Sequence, residues 1–262
     1  MNQQRILFID IETSPTLAWI WSQKPEYVPI EMVERHAQML CFAARFKGTK
    51  RTQFYSEWGD GHEEMVRQAH RLLEEADTVV HYNGVRFDTQ WLDTEMKMLD
   101  LVPPEPFQQV DLYRQTVRFR AFSHKLQHIS TYLLKLEGKH ATGGFGLWRQ
   151  VMDDMGIVPR KYDPNLVVKA QRLMRKYNVQ DVDLLGEMWE PLLPWIKVPN
   201  ANLFTGLEGC PRCERTDTLV RQGFKRNRSG KYQQYQCSVS KGGCGGWLTD
   251  THRMASTNLV SA

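Results

Sequence analysis

The sequence predicts an α/β protein, a mixed sheet flanked by helices, with a small second module at the C-terminal end. Three observations predict it. Apolar runs at Ile6 to Ile9, Leu40 to Phe46 and Thr78 to Tyr82 have the length of strands. Between them, Glu63 to Glu75 repeats its apolar residues at helical spacing. Four of the five cysteines fall in two pairs within the last quarter of the chain.

The elements follow in order. Arg5 to Glu12 reads as the first strand, with short strand candidates near Leu17 to Trp21, at Leu40 to Phe46 and at Thr52 to Tyr55. The helix Glu63 to Glu75 precedes the strand Thr78 to Tyr82, and Asn83-Gly84 is a turn signal. Phe87, Trp91, Leu92 and Met96 recur at helical spacing, so Asp88 lies near a helix start. A Pro-rich loop from Pro103 to Pro106 leads to Val110-Asp111-Leu112, expected as the last strand of the sheet. Lys125 to Leu134 is expected as helix. Gly143-Gly144-Phe145-Gly146 is expected as a loop, bordering a site or serving as plain linker. Helices then run from Asn165 to about Trp195. The expected boundaries are a main domain over 1–198, a linker over 199–206, a cysteine-rich module over 207–252 and a tail over 253–262.

Composition narrows the class. A chain of 262 residues that is 41% hydrophobic, with eight Trp, can bury one good-sized core plus a small module. No apolar stretch approaches the roughly 20 residues a membrane helix needs. The start, Met1-Asn2-Gln3-Gln4-Arg5, lacks a basic-then-apolar leader layout, so a cytoplasmic location and no membrane partner are expected.

Three acidic clusters carry the chemistry. In a strand, Asp10 and Glu12 project to one face. On a helix, Tyr177 and Asp181 are i and i+4 and share a face. Asp183, two residues on from Asp181, diverges by about 200° and reads as structural or solvated. Each cluster alone has a plain alternative: a surface turn for Asp10-Ile11-Glu12, an ordinary turn for Asn83-Gly84, a half-buried aromatic and a solvated acid for the third. Together a strand end and two helices can bring Asp10, Glu12, Asp88 and Asp181 to one point. Four such carboxylates repel unless cations neutralise them, and oxygen-only ligands favour Mg²⁺ or Mn²⁺.

The ordered pattern D-x-E, N-x3-F-D and Y-x3-D resembles the 3′–5′ exonucleases of the DEDD superfamily, in the subgroup whose third motif carries tyrosine. It is similar to the exonuclease domain of family B DNA polymerases and their stand-alone relatives, over residues 5 to 195. Ser123-His124-Lys125-Leu126 and Leu136-Glu137-Gly138-Lys139 resemble that group's intervening segment. The resemblance implies a ribonuclease H-like sheet and two Mg²⁺ or Mn²⁺ ions. It also implies hydrolysis from the 3′ end of single-stranded or duplex DNA, releasing nucleoside 5′-monophosphates, with RNA left open. It casts Asp10 as bridging both ions, Glu12 and Asp181 as completing the water-activating ion, and Asp88 as holding the second. Tyr177 would orient the water and Asn83 would contact substrate. Phe87 also matches a family position, but its spacing reads as core. A structure-specific endonuclease on the same fold and a non-catalytic nucleic-acid binder remain as alternatives. If the resemblance holds, a viral or mobile-element origin is expected for so compact a nuclease.

Among the cysteines, Cys41 lies in an apolar run and reads as a reduced core residue. Cys210-x2-Cys213 and Cys237-x6-Cys244 read as a four-cysteine zinc ribbon holding one structural Zn²⁺, with two disulfides as the alternative. His252 is a poor substitute ligand on spacing. Residues 206–262 carry nine Lys or Arg against four Asp or Glu, so the whole chain's net charge of +4 comes from this segment. Arg221, Lys225, Arg226, Arg228 and Lys231 alternate with Phe224, Tyr232 and Tyr235. Cations neutralise phosphates and aromatics stack on bases, so nucleic acid is the expected partner, a solvated hairpin tip the plainer reading.

Overall fold

The computed structural model describes residues 3–137, 144–206 and 208–257. Gly138, Lys139 and Gly143, singled out above, lie outside the described residues, as does the end of the expected tail. The chain divides into two compact units, Arg5–Gly186 and Glu187–Ala262 with Met1–Gln4.

The first unit contains strands Ile6–Thr13 (β1), Leu17–Ala18 (β2), Val33–Arg35 (β3), Met39–Phe46 (β4), Gln53–Ser56 (β5), Thr78–His81 (β6) and Gln108–Asp111 (β7). Five of them form one sheet in the order β5-β4-β1-β6-β7. β1 runs antiparallel to β4 and parallel to β6, and β6 is parallel to β7. The result is a mixed sheet with β1 at its centre. β2 and β3 form a separate pair.

The period-2 pleat of β1 sorts its sequence by face. Leu7, Ile9 and Ile11 pack into a core with Phe42 and Ala44 of β4. That core is covered by Met65, Val66, Ala69, Leu72 and Leu73 of the helix His62–Glu74, and by Leu92 and Met96 of the helix Asp88–Met98. With the one-turn helix Glu57–Asp60 counted first, these are α1, α2 and α3. Further on come Leu112–Thr116 (α4), Leu126–His128 (α5), Phe145–Val151 (α6) and Pro164–Leu192 (α7). Cys41 of β4 packs with Leu147 and Val151 of α6 and Ala170 and Met174 of α7. Cys41 is thus a buried free thiol of the core, as expected.

Three local expectations change. The strand near Leu17 to Trp21 stops at Ala18, and Trp19 and Trp21 stand in solvent, Trp21 at 96% exposure. Lys125 to Leu134 holds only one α turn before a π-helical turn at Ile129–Leu133. Phe145 and Gly146 open α6 rather than a loop: Gly144, at φ 67°, supplies the left-handed residue that starts it.

A charged latch ties α1, α2 and α3 together. His62 Nδ1 meets Glu57 at 2.8 Å and Nε2 meets the buried Glu95 at 2.9 Å, while Glu95 also accepts from the Met39 N–H. The bonds to Glu57 and then Glu95 raise the imidazole from 6.5 to about 10. A pKa raised by folding means the stabilisation is complete below pH 6.5 and fades as pH rises through 10. His62→Gln is therefore expected to lower Tm at pH 6, with the difference from the parent shrinking by pH 10.5. A difference that does not vary with pH would refute the charged latch.

The second unit carries a helical turn at Asn202–Thr205 (α8) and strands Leu219–Arg226 (β8), Gly230–Cys237 (β9) and Trp247–Ser256 (β10). These strands form an antiparallel sheet in the order β10-β9-β8. α8 falls inside the segment expected as linker, and β10 continues past the expected end of the module.

Candidate metal centres

The pleat that sends Ile9 and Ile11 into one core sends Asp10 and Glu12 to the opposite face of β1. On α7, Tyr177 and Asp181 are one turn apart. Carboxylate oxygens of Asp10, Glu12 and Asp181 lie within 4.8 Å of one another, in reach of a single ion. Asp181 is only 3% exposed. Three carboxylates this close repel strongly in a partly buried setting unless a cation joins them. An all-oxygen donor set fits a hard divalent ion.

Asp88, the first residue of α3, is adjacent but outside that trio. Its Oδ1 accepts the N–H of Ile11, between the two β1 acids, at 3.1 Å. Burial first, and then the charge of Asp10, pushes its carboxyl well above the usual range. The turn before it has no room to spare. A Cβ at Gly84 would sit 2.5 Å from the His81 ring and 2.8 Å from Asp88 Oδ2, so only glycine fits without displacing the acid.

Asn83 lies in the left-handed region at φ 67° and is exposed. Its N–H donates to Asp111 Oδ1 at 2.8 Å, an anchor that the sequence did not signal. Phe87 is not core: it is 40% exposed, edge-on to Trp91. The turn before α3 faces it outward. The Tyr82 hydroxyl donates to the His124 carbonyl at 2.7 Å, tying the Ser123-His124-Lys125-Leu126 segment to the residue that follows β6. Asp183 pairs with Arg45 at 3.0 Å and accepts from the Thr52 hydroxyl, away from the trio, as its helical phase requires.

Tyr177 packs edge-on against Trp148. Burial, then the charges of Glu12 and Asp10, raises its phenol above the ordinary value, so it stays protonated at neutral pH. The residue that sequence reasoning missed is its neighbour Asn178. Fully buried, it donates from Nδ2 to Asp10 Oδ2 at 2.7 Å and to the Asp10 carbonyl at 3.1 Å. A lone amide in a helix carries no pattern that reveals such a partner.

In the second unit, the sulfurs of Cys210, Cys213, Cys237 and Cys244 also lie within 4.8 Å of one another. The Cys210–Cys244 and Cys213–Cys237 separations are 3.9 and 3.7 Å, and all the cysteines are free. Disulfide sulfurs sit at about 2.0 Å, whereas a tetrahedral zinc with bonds of about 2.3 Å spaces its ligands at ~3.8 Å. The cluster fits a zinc module. The six-residue gap of the second pair forms a 3-10 turn, Val239–Lys241, then Gly242 in the left-handed region. Cys244 N–H donates to Cys237 Sγ at 3.3 Å. A Cβ on Gly243 would meet that sulfur at 2.4 Å, so the chain must be glycine there. His252 is exposed on β10, outside the cluster.

The basic residues sit on the β8–β9 hairpin. Arg221, Lys225, Arg226 and Arg228 are exposed, Arg228 at the tip, where Asn227 Oδ1 accepts two backbone N–H groups. Lys231 Nζ lies 3.9 Å from the centre of the Phe224 ring.

Residues 27–146 match the model of the RNase_H superfamily. Among solved structures, the chain is similar to the family B DNA polymerase from the hyperthermophilic archaeon Pyrobaculum calidifontis. The TM-score is 0.50 at 18% identity, over 73% of this chain and 25% of the polymerase chain. The chain thus spans about a quarter of that protein's length. No curated protein matches it in sequence. The fold is ribonuclease H-like. Among the described residues, no helix is long and apolar enough to cross a membrane.

Proposed function

We propose that the protein is a 3′–5′ exonuclease that hydrolyses phosphodiester bonds of DNA with two Mg²⁺ or Mn²⁺ ions. The observation that carries this reading is the convergence of Asp10, Glu12 and Asp181 from β1 and α7 within 4.8 Å. The motif resemblance supplies the polarity. Asp10, Glu12 and Asp181 would hold the ions, and Asp88, beside them on the Ile11 amide, would complete the set. Bound there, such ions would supply charge stabilisation to the attacking and leaving oxygens of the phosphodiester. Tyr177, as a protonated phenol, would orient a water by hydrogen bonding rather than remove its proton. Asn83, exposed at the turn, would contact the substrate.

The experiment is digestion of 5′-labelled single- and double-stranded DNA and RNA with Mg²⁺, Mn²⁺ or EDTA. A ladder shortening from the 3′ end, abolished by EDTA, is expected. Cleavage of a circular single strand would replace this reading with an endonuclease, and no metal-dependent cleavage of any substrate would overturn it.

The four cysteines would hold one structural Zn²⁺, and the hairpin they anchor would bind the nucleic acid through Arg221, Lys225, Arg226, Arg228 and Lys231. Each cation that neutralises a phosphate of a single strand adds ~0.7 to the salt dependence of binding. Removing residues 206–262 is expected to weaken oligonucleotide binding and flatten its log–log salt slope by ~3.5 if all five cations act, with cleavage retained. Unchanged affinity would remove the module from substrate binding.

A further inference from the structure

We infer that Asn178 is a positioning residue for Asp10, clamping the carboxylate that the proposed centre depends on most; this rests on the two-metal reading above. The clamp has two points. One amide nitrogen reaches both Asp10 Oδ2, at 2.7 Å, and the Asp10 carbonyl, at 3.1 Å. Two acceptors fix the amide orientation, because the flipped rotamer would set Oδ1 against both. Side chain and main chain of Asp10 are therefore held by the same group, which couples its χ1 to the β1 backbone.

The chemistry of the donor matters. A lysine or arginine here would neutralise Asp10 and compete with a divalent ion. A neutral amide orients the carboxylate and leaves its charge for the metal. Asn178 also spaces its neighbours: it follows Tyr177 and lies three residues before Asp181, so one turn of α7 carries the orienting phenol, the clamp and a ligand.

Stability alone does not account for this residue. Asn178 is fully buried, yet its Oδ1 has no hydrogen-bond partner. A buried polar atom left unmatched costs about 1–3 kcal/mol, and asparagine is a poor helix former. An apolar residue of the same size would make a cheaper helix. The arrangement is what a site residue looks like when local rules are broken for position.

The test is Mn²⁺ binding to the full-length chain, read by the loss of the free-ion EPR signal, together with Tm and the kcat and KM for oligonucleotide cleavage. Partners that orient a metal ligand typically contribute 10–100-fold in metal affinity or activity. Asn178→Leu is expected to keep or raise Tm, to weaken Mn²⁺ binding by ~10-fold or more, and to lower kcat with KM for DNA little changed. Asn178→Ser, which retains a shorter donor, is expected to fall between the two, and it provides the readout if the leucine variant does not fold. Parent-like Mn²⁺ affinity in a folded variant, or a loss of Tm with no change in affinity, would overturn the positioning role and leave the nuclease reading standing. A parent chain that binds no Mn²⁺ would sink both.

Discussion

Asp10→Ala is expected to lower the rate of oligonucleotide hydrolysis by ~10³-fold or more while binding of the same oligonucleotide persists. Holding charge at a reacting phosphodiester is worth several kcal/mol, and each 1.4 kcal/mol is about tenfold in rate. The carboxylate contributes nothing comparable to binding DNA, whose phosphates it repels; removing it spares affinity. Asp181→Ala should behave alike, because its oxygens share the same 4.8 Å neighbourhood. The measurement pairs single-turnover cleavage with a filter or anisotropy binding assay on each variant. Variants that cut at the parent rate would show that the acid cluster is not the reactive centre. Loss of binding together with cleavage would instead point to a fold defect, which the Tm of the variant reveals.

Metal removal is expected to unfold the cysteine-bearing sheet of the second unit, residues 208–257. Residues 208–257 bury almost nothing else: among the described residues, Thr218 is the only buried side chain there beyond Cys210, Cys213 and Cys237. Most of β8 and β10 is exposed. A sheet of that size without an apolar core cannot offset the entropy of ordering its chain. Structural zinc supplies an apparent ~10–16 kcal/mol in small modules, which covers that cost. The purified protein should therefore contain one equivalent of zinc. A strong chelator, or Cys213→Ser, should collapse the amide dispersion of these residues in an NMR spectrum. Dispersion that survives complete metal removal would show that the four thiols are not what holds this sheet together.

Several features were legible in the sequence because their physics is local. Alternation along β1 makes Asp10 and Glu12 co-facial whatever packs on them. The i, i+4 spacing does the same for Tyr177 and Asp181, and it sets Asp183 apart to pair with Arg45 instead. Strand lengths and the amphipathic pattern of α2 were readable for the same reason. The failures were also local in origin. The glycines around Phe145 signalled a loop, yet one left-handed residue, Gly144, starts a helix there. Phe87 had core spacing, but the 3-10 turn before α3 leaves it in solvent.

The sequence by itself determined which groups can serve: the acids and the phenol in their order, two cysteine pairs, and a basic hairpin between them. Residue chemistry and short-range periodicity are properties of a few neighbouring positions, and these suffice. Only the tertiary structure decided how the groups meet. Asp88 settles beside the acidic trio on a β1 amide, and Asn178 closes on Asp10 across 168 residues of chain. Such contacts follow from how helices dock on the sheet, a long-range outcome of packing that no local pattern encodes.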